Sequence, residues 1–258
     1  DGRHYANIAE MAERIVAAGV ASGISLTLLP VFYAHSGFGG QQPNDGQRRF
    51  IHSLDSFARL MESCSQLLSS TPRSVLGVAP HSLRAVTPSE LAAITPLAGD
   101  GPIHVHVAEQ TKEVEDCISH TGMRPVEWLL DNAHVDSRWC FIHATHMTPD
   151  ETVRAASNGV IAGLCPITEA NLGDGVFDAP RFLEAKGRFG IGSDSNISIS
   201  LPEELRMLEY SQRLLRRERN IIAASGNSTG RILFDEAIRG GSAALRSRAG
   251  LTVDGDAD

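Results

Sequence analysis

Short apolar runs alternate along the chain with segments of helical character, and this alternation constrains the fold more than any other feature. The runs are continuously apolar and rich in β-branched residues, as strands buried on both faces are. Because strand and helix repeat in turn, the pattern predicts parallel strands joined by crossover helices. The six runs are residues 24–32, 75–79, 103–107, 139–143, 160–165 and 189–192.

The segments between these runs have explicit helix-start signals. Thr87-Pro88-Ser89-Glu90 and Thr148-Pro149-Asp150-Glu151 each predict a capping box with proline in the first turn. Ser200-Leu201-Pro202-Glu203 has the same pattern and precedes a helix that we expect to run to about Arg219. Further helices are predicted over residues 1–20, 53–68, 113–119 and 148–157.

Two architectures fit such a repeat, an open doubly wound sheet and a closed (β/α)8 barrel. Neither of the glycine-rich phosphate-binding fingerprints occurs in the sequence. Polar residues instead follow many different strands, as in a barrel, whose active site is built from the loops after several strands. We therefore predict an α/β fold of the (β/α)8 barrel type. Only six strands are visible, so we expect an incomplete barrel of about strands three to eight. The polar residues after the runs are Tyr33, His81, Arg84, His106, Glu109, His143, His146, Asp194 and Ser195.

Composition narrows the range of partners. The 258 residues include 23 Lys and Arg against 31 Asp and Glu, a formal net charge of −8. This balance argues against binding to nucleic acid or to an anionic membrane through bulk charge. No run reaches the roughly 18 apolar residues of a membrane span. The cysteines are far apart without CxxC spacing, which is typical of reduced thiols in a cytoplasmic protein. They are Cys64, Cys117, Cys140 and Cys165.

The segment His104-Val105-His106-Val107-Ala108-Glu109 is the strongest chemical signal. In a strand, residues two apart share a face, so His104 and His106 point the same way. We expect His104 to be a hydrogen-bonded core histidine, because it lies deeper in the strand. His106 is nearer the carboxyl end and Glu109 follows it in the loop. Imidazole is a good zinc ligand, and a nearby carboxylate that does not bind the metal can move protons.

Two later strands end in residues of the same kind. In Phe141-Ile142-His143-Ala144-Thr145-His146, one histidine should face the site and the other should pack in the loop. The strand before Gly192 ends in Asp194, and a lone aspartate there is most often a cap or turn residue. Three such features on three strands together predict metal ligands, a general base and a proton donor for hydrolysis.

A family resemblance rests on these motifs. His-x-Ala-Glu at 106–109, the histidine at 143 and Gly-Ser-Asp-Ser at 192–195 resemble the deaminase branch of the amidohydrolase superfamily. Three longer motifs are similar to those of the formimidoylglutamate deiminases within it, and they run in order over essentially the whole chain. These are Pro-Val-Phe-Tyr-Ala-His-Ser-Gly-Phe-Gly-Gly at 30–40, Ala-Pro-His-Ser-Leu-Arg at 79–84 and Cys-Pro-Ile-Thr-Glu-Ala-Asn-Leu-Gly-Asp-Gly at 165–175.

The resemblance implies a metal-dependent barrel with one zinc ion, which converts N-formimino-L-glutamate and water to N-formyl-L-glutamate and ammonia in histidine degradation. It implies that His106 binds zinc, that Glu109 shuttles protons and that His143 lies beside the attacking water. Asp194 would be both a zinc ligand and the base. The residues implied to contact the substrate are Tyr33, His81, Arg84 and Ser200. For Arg84 a surface ion pair stays open as an alternative, and for Ser200 a capping role.

The sequence departs from the family pattern in several places. The His-x-His pair of the first barrel strand has no counterpart before His106. The second strand with its substrate arginine and most of a small β-domain are also missing, and Asn196 stands where a histidine is often expected. We therefore predict a partial barrel domain over residues 1–250, with residues 251–258 starting the return to the β-domain. Such a chain is expected to bind zinc weakly and to lack activity, because catalytic zinc normally has at least three protein ligands.

Two other functions remain open at this point. One is a different deaminase or hydrolase of the superfamily that acts on a nucleoside, guanine or triazine ring. Aromatic residues make up 5% of the sequence, so few side chains are available to stack on such a ring. The other is an inactive fragment or interaction module. The sequence does not give the oligomeric state, and a homodimer is compatible with it.

Overall fold

A computed structural model describes residues 5–195, 198–223 and 226–247. Asn196 and residues 251–258, for which the sequence raised expectations, lie outside the described residues. The chain divides into two units, Asp1–Val105 with Leu245–Asp258, and His106–Ala244. In the described part of the chain, no helix has the length and apolar character needed to cross a membrane.

The first unit pairs its strands in parallel. Strand β1 pairs with β3, and β2 pairs with β4. Short 3-10 turns occupy Arg48–Phe50 and Thr95–Ala98. The helices and strands of this unit are α1 (Glu10–Ser22), β1 (Leu26–Leu28), β2 (Val31–Phe32), α2 (Leu54–Leu68), β3 (Ser74–Leu76), β4 (Ala79–Pro80) and α3 (Pro88–Ile94).

The structure breaks each of the first two predicted strands into two short ones. Pro30 lies at the first break; it has no N–H to give to a ladder, and its carbonyl accepts the N–H of Ala79 at 3.0 Å. Gly77 lies at the second break, where a Cβ atom would approach the carbonyl oxygen of Pro102 to 2.4 Å. The helix predicted over residues 1–20 begins only at Glu10.

The second unit contains the regular part of the sheet. Four strands lie in the order β5-β6-β7-β8, and the boundary between the units falls within β5. Strands β6, β7 and β8 are parallel, so their carboxyl ends lie at one edge of the sheet. The helices and strands here are β5 (Ile103–Val107), α4 (Thr111–Thr121), α5 (Pro125–Asn132), β6 (Trp139–His143), α6 (Pro149–Ser157), β7 (Ile161–Leu164), α7 (Pro166–Leu172), α8 (Ala179–Glu184), β8 (Arg188–Ile191), α9 (Leu201–Arg216) and α10 (Thr229–Leu245).

Two of the three predicted capping boxes form. Thr87 caps α3 and Thr148 caps α6, each with the reciprocal bond from the glutamate three residues later. The third prediction is wrong, because the Ser200 side chain makes no capping bond at α9. Glu203, the glutamate of the predicted box, accepts instead from the hydroxyl of Ser198 at 2.9 Å. Helix α9 also ends at Arg216, before the predicted Arg219.

Helix α10 lies against β8 without side chains between the two backbones. A Cβ atom on Gly240 would lie 1.8 Å from the carbonyl oxygen of Phe189, and one on Gly190 would lie 2.9 Å from Cα of Gly241. Glycine inside a helix costs about 1 kcal/mol relative to alanine. The glycine at 240 is nevertheless needed, because a larger residue would not fit between α10 and β8. The nearby core contains Cys140, Ile161 and Ala244.

Candidate functional site

His143 is the centre of the candidate site. It is the last residue of β6, and its side chain is only 1% exposed. Its Nε2 atom lies 3.7 Å from Oε1 of Glu109 and 3.7 Å from Oδ2 of Asp194. Its Nδ1 atom lies 3.2 Å from Oε1 of Glu169. Nδ1 therefore faces one carboxylate, that of Glu169, and Nε2 faces two, those of Glu109 and Asp194.

Glu169 belongs to α7, the short helix that follows β7. Its side chain is buried, and Oε1 also accepts the backbone N–H of Cys165 at 2.9 Å. One carboxylate oxygen therefore joins the end of β7 to the imidazole at the end of β6. The sequence analysis quoted Glu169 within a motif but gave it no role. The signal that could have found it is a glutamate four residues after Cys165, where a strand ends and a helix begins.

Glu109 follows β5 in a loop held by hydrogen bonds to the next strand and helix. The N–H of His146 donates to the carbonyl of Ala108 at 3.0 Å, which fixes the loop to the end of β6. Glu113, buried in the first turn of α4, accepts the backbone N–H groups of Ala108 and Glu109. The loop is therefore restrained from both sides.

Asp194 follows β8 and reaches His143 through one carboxylate oxygen. Its Oδ1 accepts the N–H of Ser195 at 2.7 Å, which leaves Oδ2 directed toward the imidazole. The side chain of Asp194 is 27% exposed, whereas that of His143 is 1% exposed. The carboxylate thus lies between buried imidazole and solvent, a suitable position for a group that exchanges protons with water.

The carboxylates control the charge of His143. Burial by itself lowers the pKa of His143, because a buried imidazolium loses its hydration. The hydrogen bond with Glu169 and the negative charges of the three surrounding carboxylates outweigh burial and raise the pKa above its usual value. The carboxylates therefore stabilise the imidazolium form of His143 relative to an imidazole in water.

His106 lies beside this centre. Its ring stacks on that of His143, with the centroids 5.6 Å apart and the planes at 30°. The strand pattern places His104 and His106 at half-buried positions, between the fully buried Ile103, Val105 and Val107. The other histidine of the β6 motif, His146, bonds through Nε2 to the carbonyl of Asp174 at 2.7 Å and so packs in the loop.

A group of potential metal ligands lies at the same place. Within the described residues, His143, Cys165 and Asp194 offer ligand atoms that are all within 4.8 Å of one another. Nitrogen, sulfur and carboxylate oxygen are the donors that zinc prefers, so the chemistry of the site fits that ion. This group shares Asp194 with the ligand pair expected from the sequence, but it contains Cys165 in place of His106. Burial raises the pKa of the Cys165 thiol, so the metal-free protein holds it protonated.

The backbone is unusual where the site residues leave their strands. Four residues that are not glycine have φ in the left-handed region, where a Cβ atom is crowded. Such conformations persist only when the surrounding structure enforces them, and they concentrate at functional sites. They are Ala108 (φ 51°), His143 (φ 66°), Ala144 (φ 50°) and Asp194 (φ 51°).

The expected substrate residues of the first unit form their own arrangement. Tyr33 and His81 follow β2 and β4, and their rings meet edge to face with centroids 4.8 Å apart. Gln47 donates to the Tyr33 hydroxyl at 2.8 Å. Nε of Arg84 is buried and has no hydrogen-bond partner in the described part of the chain.

Comparison with known proteins identifies the family. A family model described as the amidohydrolase family matches residues 4–240. The chain belongs to the amidohydrolase family. This membership confirms the predicted fold class, an incomplete (β/α)8 barrel with parallel strands.

Individual members of the amidohydrolase family resemble the chain to different degrees. Formimidoylglutamate deiminase of Pseudomonas aeruginosa is 50% identical over 247 residues, which cover 95% of this chain and 54% of that protein. A 5-methylthioadenosine/S-adenosylhomocysteine deaminase of Pyrococcus abyssi is 24% identical over 86% of this chain and 51% of its own length. The chain thus spans about half the length of the curated relatives it matches. The predicted resemblance to formimidoylglutamate deiminases is confirmed.

Solved structures of the family agree with the fold. The crystal structure of an amidohydrolase from Brucella melitensis is 62% identical and superposes with a TM-score of 0.93 over 95% of this chain and 55% of that one. An adenosine deaminase from Xanthomonas campestris with bound zinc is 22% identical, with a TM-score of 0.72 over 90% of this chain and 50% of that one. At that identity the second likeness supports the fold alone.

Proposed function

We propose that this site acts in the zinc-dependent deimination of N-formimino-L-glutamate, which yields N-formyl-L-glutamate and ammonia. The observation that supports this most strongly is the position of Glu109 and Asp194, each 3.7 Å from Nε2 of His143. Two carboxylates at one imidazole nitrogen provide both a base and an acid for hydrolysis. The 50% identity with formimidoylglutamate deiminase of Pseudomonas aeruginosa supports the choice of substrate.

We assign His106 and Asp194 as the residues that would hold one zinc ion. When bound, zinc acts as a Lewis acid that lowers the pKa of water and so supplies a nucleophile near neutral pH. Cys165 is close enough to bind as well, but its buried thiol would first have to lose its proton. We therefore favour His106 over Cys165 as the second ligand.

The proton transfers follow from the geometry of the carboxylates. Oδ2 of Asp194 accepts a proton from the water that attacks the formimino carbon. His143, whose charged form the three carboxylates stabilise, donates from Nε2 to the oxygen that gains negative charge, as a preorganised donor does. Glu109 passes protons to the departing nitrogen. The carbon–nitrogen bond then breaks, ammonia leaves and the carbon becomes a formyl group.

The substrate has two carboxylates, and Arg84 is suited to bind one of them. Its Nε is buried and lacks a hydrogen-bond partner in the described structure, which is costly unless a ligand supplies one. Guanidinium binds carboxylate through two parallel hydrogen bonds. We propose that Tyr33 and His81, whose rings are in contact, bind the substrate as well. Ser200, which does not cap α9, remains a further candidate.

The biological setting is also a proposal. The resemblance to formimidoylglutamate deiminases implies a step of histidine degradation in the cytoplasm. The four cysteines are all buried free thiols, which is compatible with a reducing compartment. A small-molecule substrate without nucleic acid or membrane partners fits the net charge of −8.

An assay of ammonia release tests the proposal. The 258-residue chain and the full Pseudomonas aeruginosa relative would be compared, each with and without added zinc, on N-formimino-L-glutamate, adenosine, guanine and a chlorotriazine. In any preparation that is active, we expect ammonia to be released from N-formimino-L-glutamate and from none of the other three compounds. Turnover of a flat ring with formiminoglutamate left intact would overturn the choice of substrate.

A further inference from the structure

Glu113 bonds to the loop that contains Glu109 through both of its carboxylate oxygens. Oε1 accepts the backbone N–H of Ala108 at 3.1 Å, and Oε2 accepts the backbone N–H of Glu109 at 3.0 Å. The residue is 3% exposed, although it is a glutamate in the first turn of α4. Burying a carboxylate is unfavourable unless it is strongly hydrogen-bonded, so this one has a specific structural use.

The bonds of Glu113 bear on a strained part of the backbone. Ala108 has φ of 51°, a conformation that residues with a Cβ atom avoid. The direction in which Glu109 leaves the strand depends on this residue, because it is the next one along the chain. A single side chain that accepts from two consecutive N–H groups holds both peptide units, and with them the left-handed turn.

We propose that Glu113 is a positioning residue that orients Glu109 toward His143. The inference rests on the proposed function of Glu109 as the group that moves protons. Glu113 itself has no contact with the imidazole among the bonds described above. It acts on the reaction through the backbone of Ala108 and Glu109, and so through the distance of 3.7 Å between Oε1 of Glu109 and Nε2 of His143.

The chain contains a matched control for this role. Glu151 is also 3% exposed, and its two oxygens accept the backbone N–H groups of Glu127 at 3.0 Å and Thr148 at 2.7 Å. Its Oε2 also accepts from Nε of Arg124 at 3.0 Å. Glu151 bonds to no residue of the 108–109 loop, so its replacement removes two bonds to backbone N–H groups and an ion pair without touching the proposed catalytic carboxylate.

The test is amide hydrogen exchange, measured by NMR on the 258-residue chain. In E113Q the amide group offers only one acceptor oxygen, so one of the two N–H groups loses its partner. We expect exchange at Ala108 and Glu109 to accelerate about tenfold or more, while E151Q leaves both unchanged and accelerates Glu127 and Thr148. Unchanged exchange at 108 and 109 in E113Q, or the same acceleration in E151Q, would overturn the proposal.

A second substitution separates positioning from general loss of structure. Glycine adopts positive φ without strain, so A108G in the E113Q background should restore much of the lost order. A crystal structure of E113Q should show the Glu109–His143 distance lengthened beyond 3.7 Å. If E113Q does not fold, the same measurements on E113D decide the question: no loosening of the loop in E113D would count against Glu113.

Kinetics extend the test to catalysis in an active preparation. Misplacing a catalytic group by about 1 Å can cost about 10²-fold. We expect E113Q to lower kcat by that order with little change in KM, and E151Q to leave both nearly unchanged. If the unmodified enzyme releases no ammonia from formiminoglutamate, the proposed function fails, whereas hydrogen exchange still tests the role of Glu113.

Discussion

Oε1 of Glu169 lies 3.2 Å from Nδ1 of His143, on the side of the ring away from Glu109 and Asp194. A carboxylate at Nδ1 requires a hydrogen there, so the ring donates from this nitrogen. The opposite nitrogen is thereby turned toward the two carboxylates that are proposed to move protons. Glu169 thus determines which ring nitrogen of His143 faces the carboxylates of Glu109 and Asp194.

Removing the Glu169 carboxylate should destabilise the second unit. E169A leaves the Cys165 N–H and the His143 Nδ1–H buried without an acceptor, at about 1–3 kcal/mol each. E169Q keeps one oxygen that can accept and should cost less. Urea unfolding measures both losses. Equal stability of E169A and the unmodified protein would mean that neither hydrogen bond matters for folding.

Glu109 should be required for turnover but not for metal binding. We expect E109Q to lower kcat by about 10²–10⁴-fold, the usual worth of a positioned acid or base, and to retain zinc. Glu115, exposed on α4, provides the control, and E115Q should leave kcat unchanged. The assay is ammonia release with zinc content measured in parallel, with both substitutions made at the equivalent positions of the full-length Pseudomonas aeruginosa relative. Loss of zinc in E109Q would assign Glu109 to the metal instead.

Metal titration should distinguish the two possible ligand sets. If His106 and Asp194 hold zinc, H106A and D194N should each weaken binding by more than about 100-fold, the upper end of what a partner outside the ligand shell contributes. C165S should bind nearly as well as the unmodified protein. Isothermal titration with zinc measures all three. Strong loss in C165S with none in H106A would favour the alternative group of His143, Cys165 and Asp194.

Glu90 should make stability fall at acidic pH. Burial raises the pKa of Glu90, but hydrogen bonds from Thr87 and His35 outweigh it and lower the pKa below its usual value. Its contribution is therefore complete above the ordinary pKa of a glutamate and is lost as pH falls through the lowered one. Between pH 7 and pH 3, the unmodified chain should lose about 1 kcal/mol more than E90Q. Unfolding curves with the same pH dependence for both proteins would refute this.

The regular half of the fold follows from local sequence. The predicted runs 103–107 and 139–143 coincide with β5 and β6. A short apolar stretch between two helices is buried as a strand, so its sequence alone predicts it. The threonine caps at 87 and 148 were equally predictable, since every atom of a capping box lies within four residues. The break at Pro30 also has a local cause, because proline has no N–H to give to a ladder. The break at Gly77 depends on the close approach of Pro102 from another segment, which no local pattern reports.

The site divides in the same way. Glu109, His143 and Asp194 were predictable because their residue types and positions after strands express their chemistry. Glu169 and Glu113 were not, since each is one more glutamate in the first turn of a helix, where such residues normally interact with the helix dipole. The roles proposed for Glu169 and Glu113 rest on their burial and on their bonds to other segments. Ser200 shows the opposite error. Its local motif predicts a helix cap that does not form, and Glu203 accepts from Ser198 instead.

The contact between Gly240 of α10 and Gly190 with Phe189 of β8 gives the protein a vulnerability that no functional group reveals. A deep mutational scan would find Gly240 and Gly190 as intolerant as a general base, although neither has a side chain to react. A methyl group at either position must push α10 away from β8, the strand that leads to Asp194. Loss of function by such variants would report a displaced framework, and small-molecule rescue of a missing side chain could not restore it.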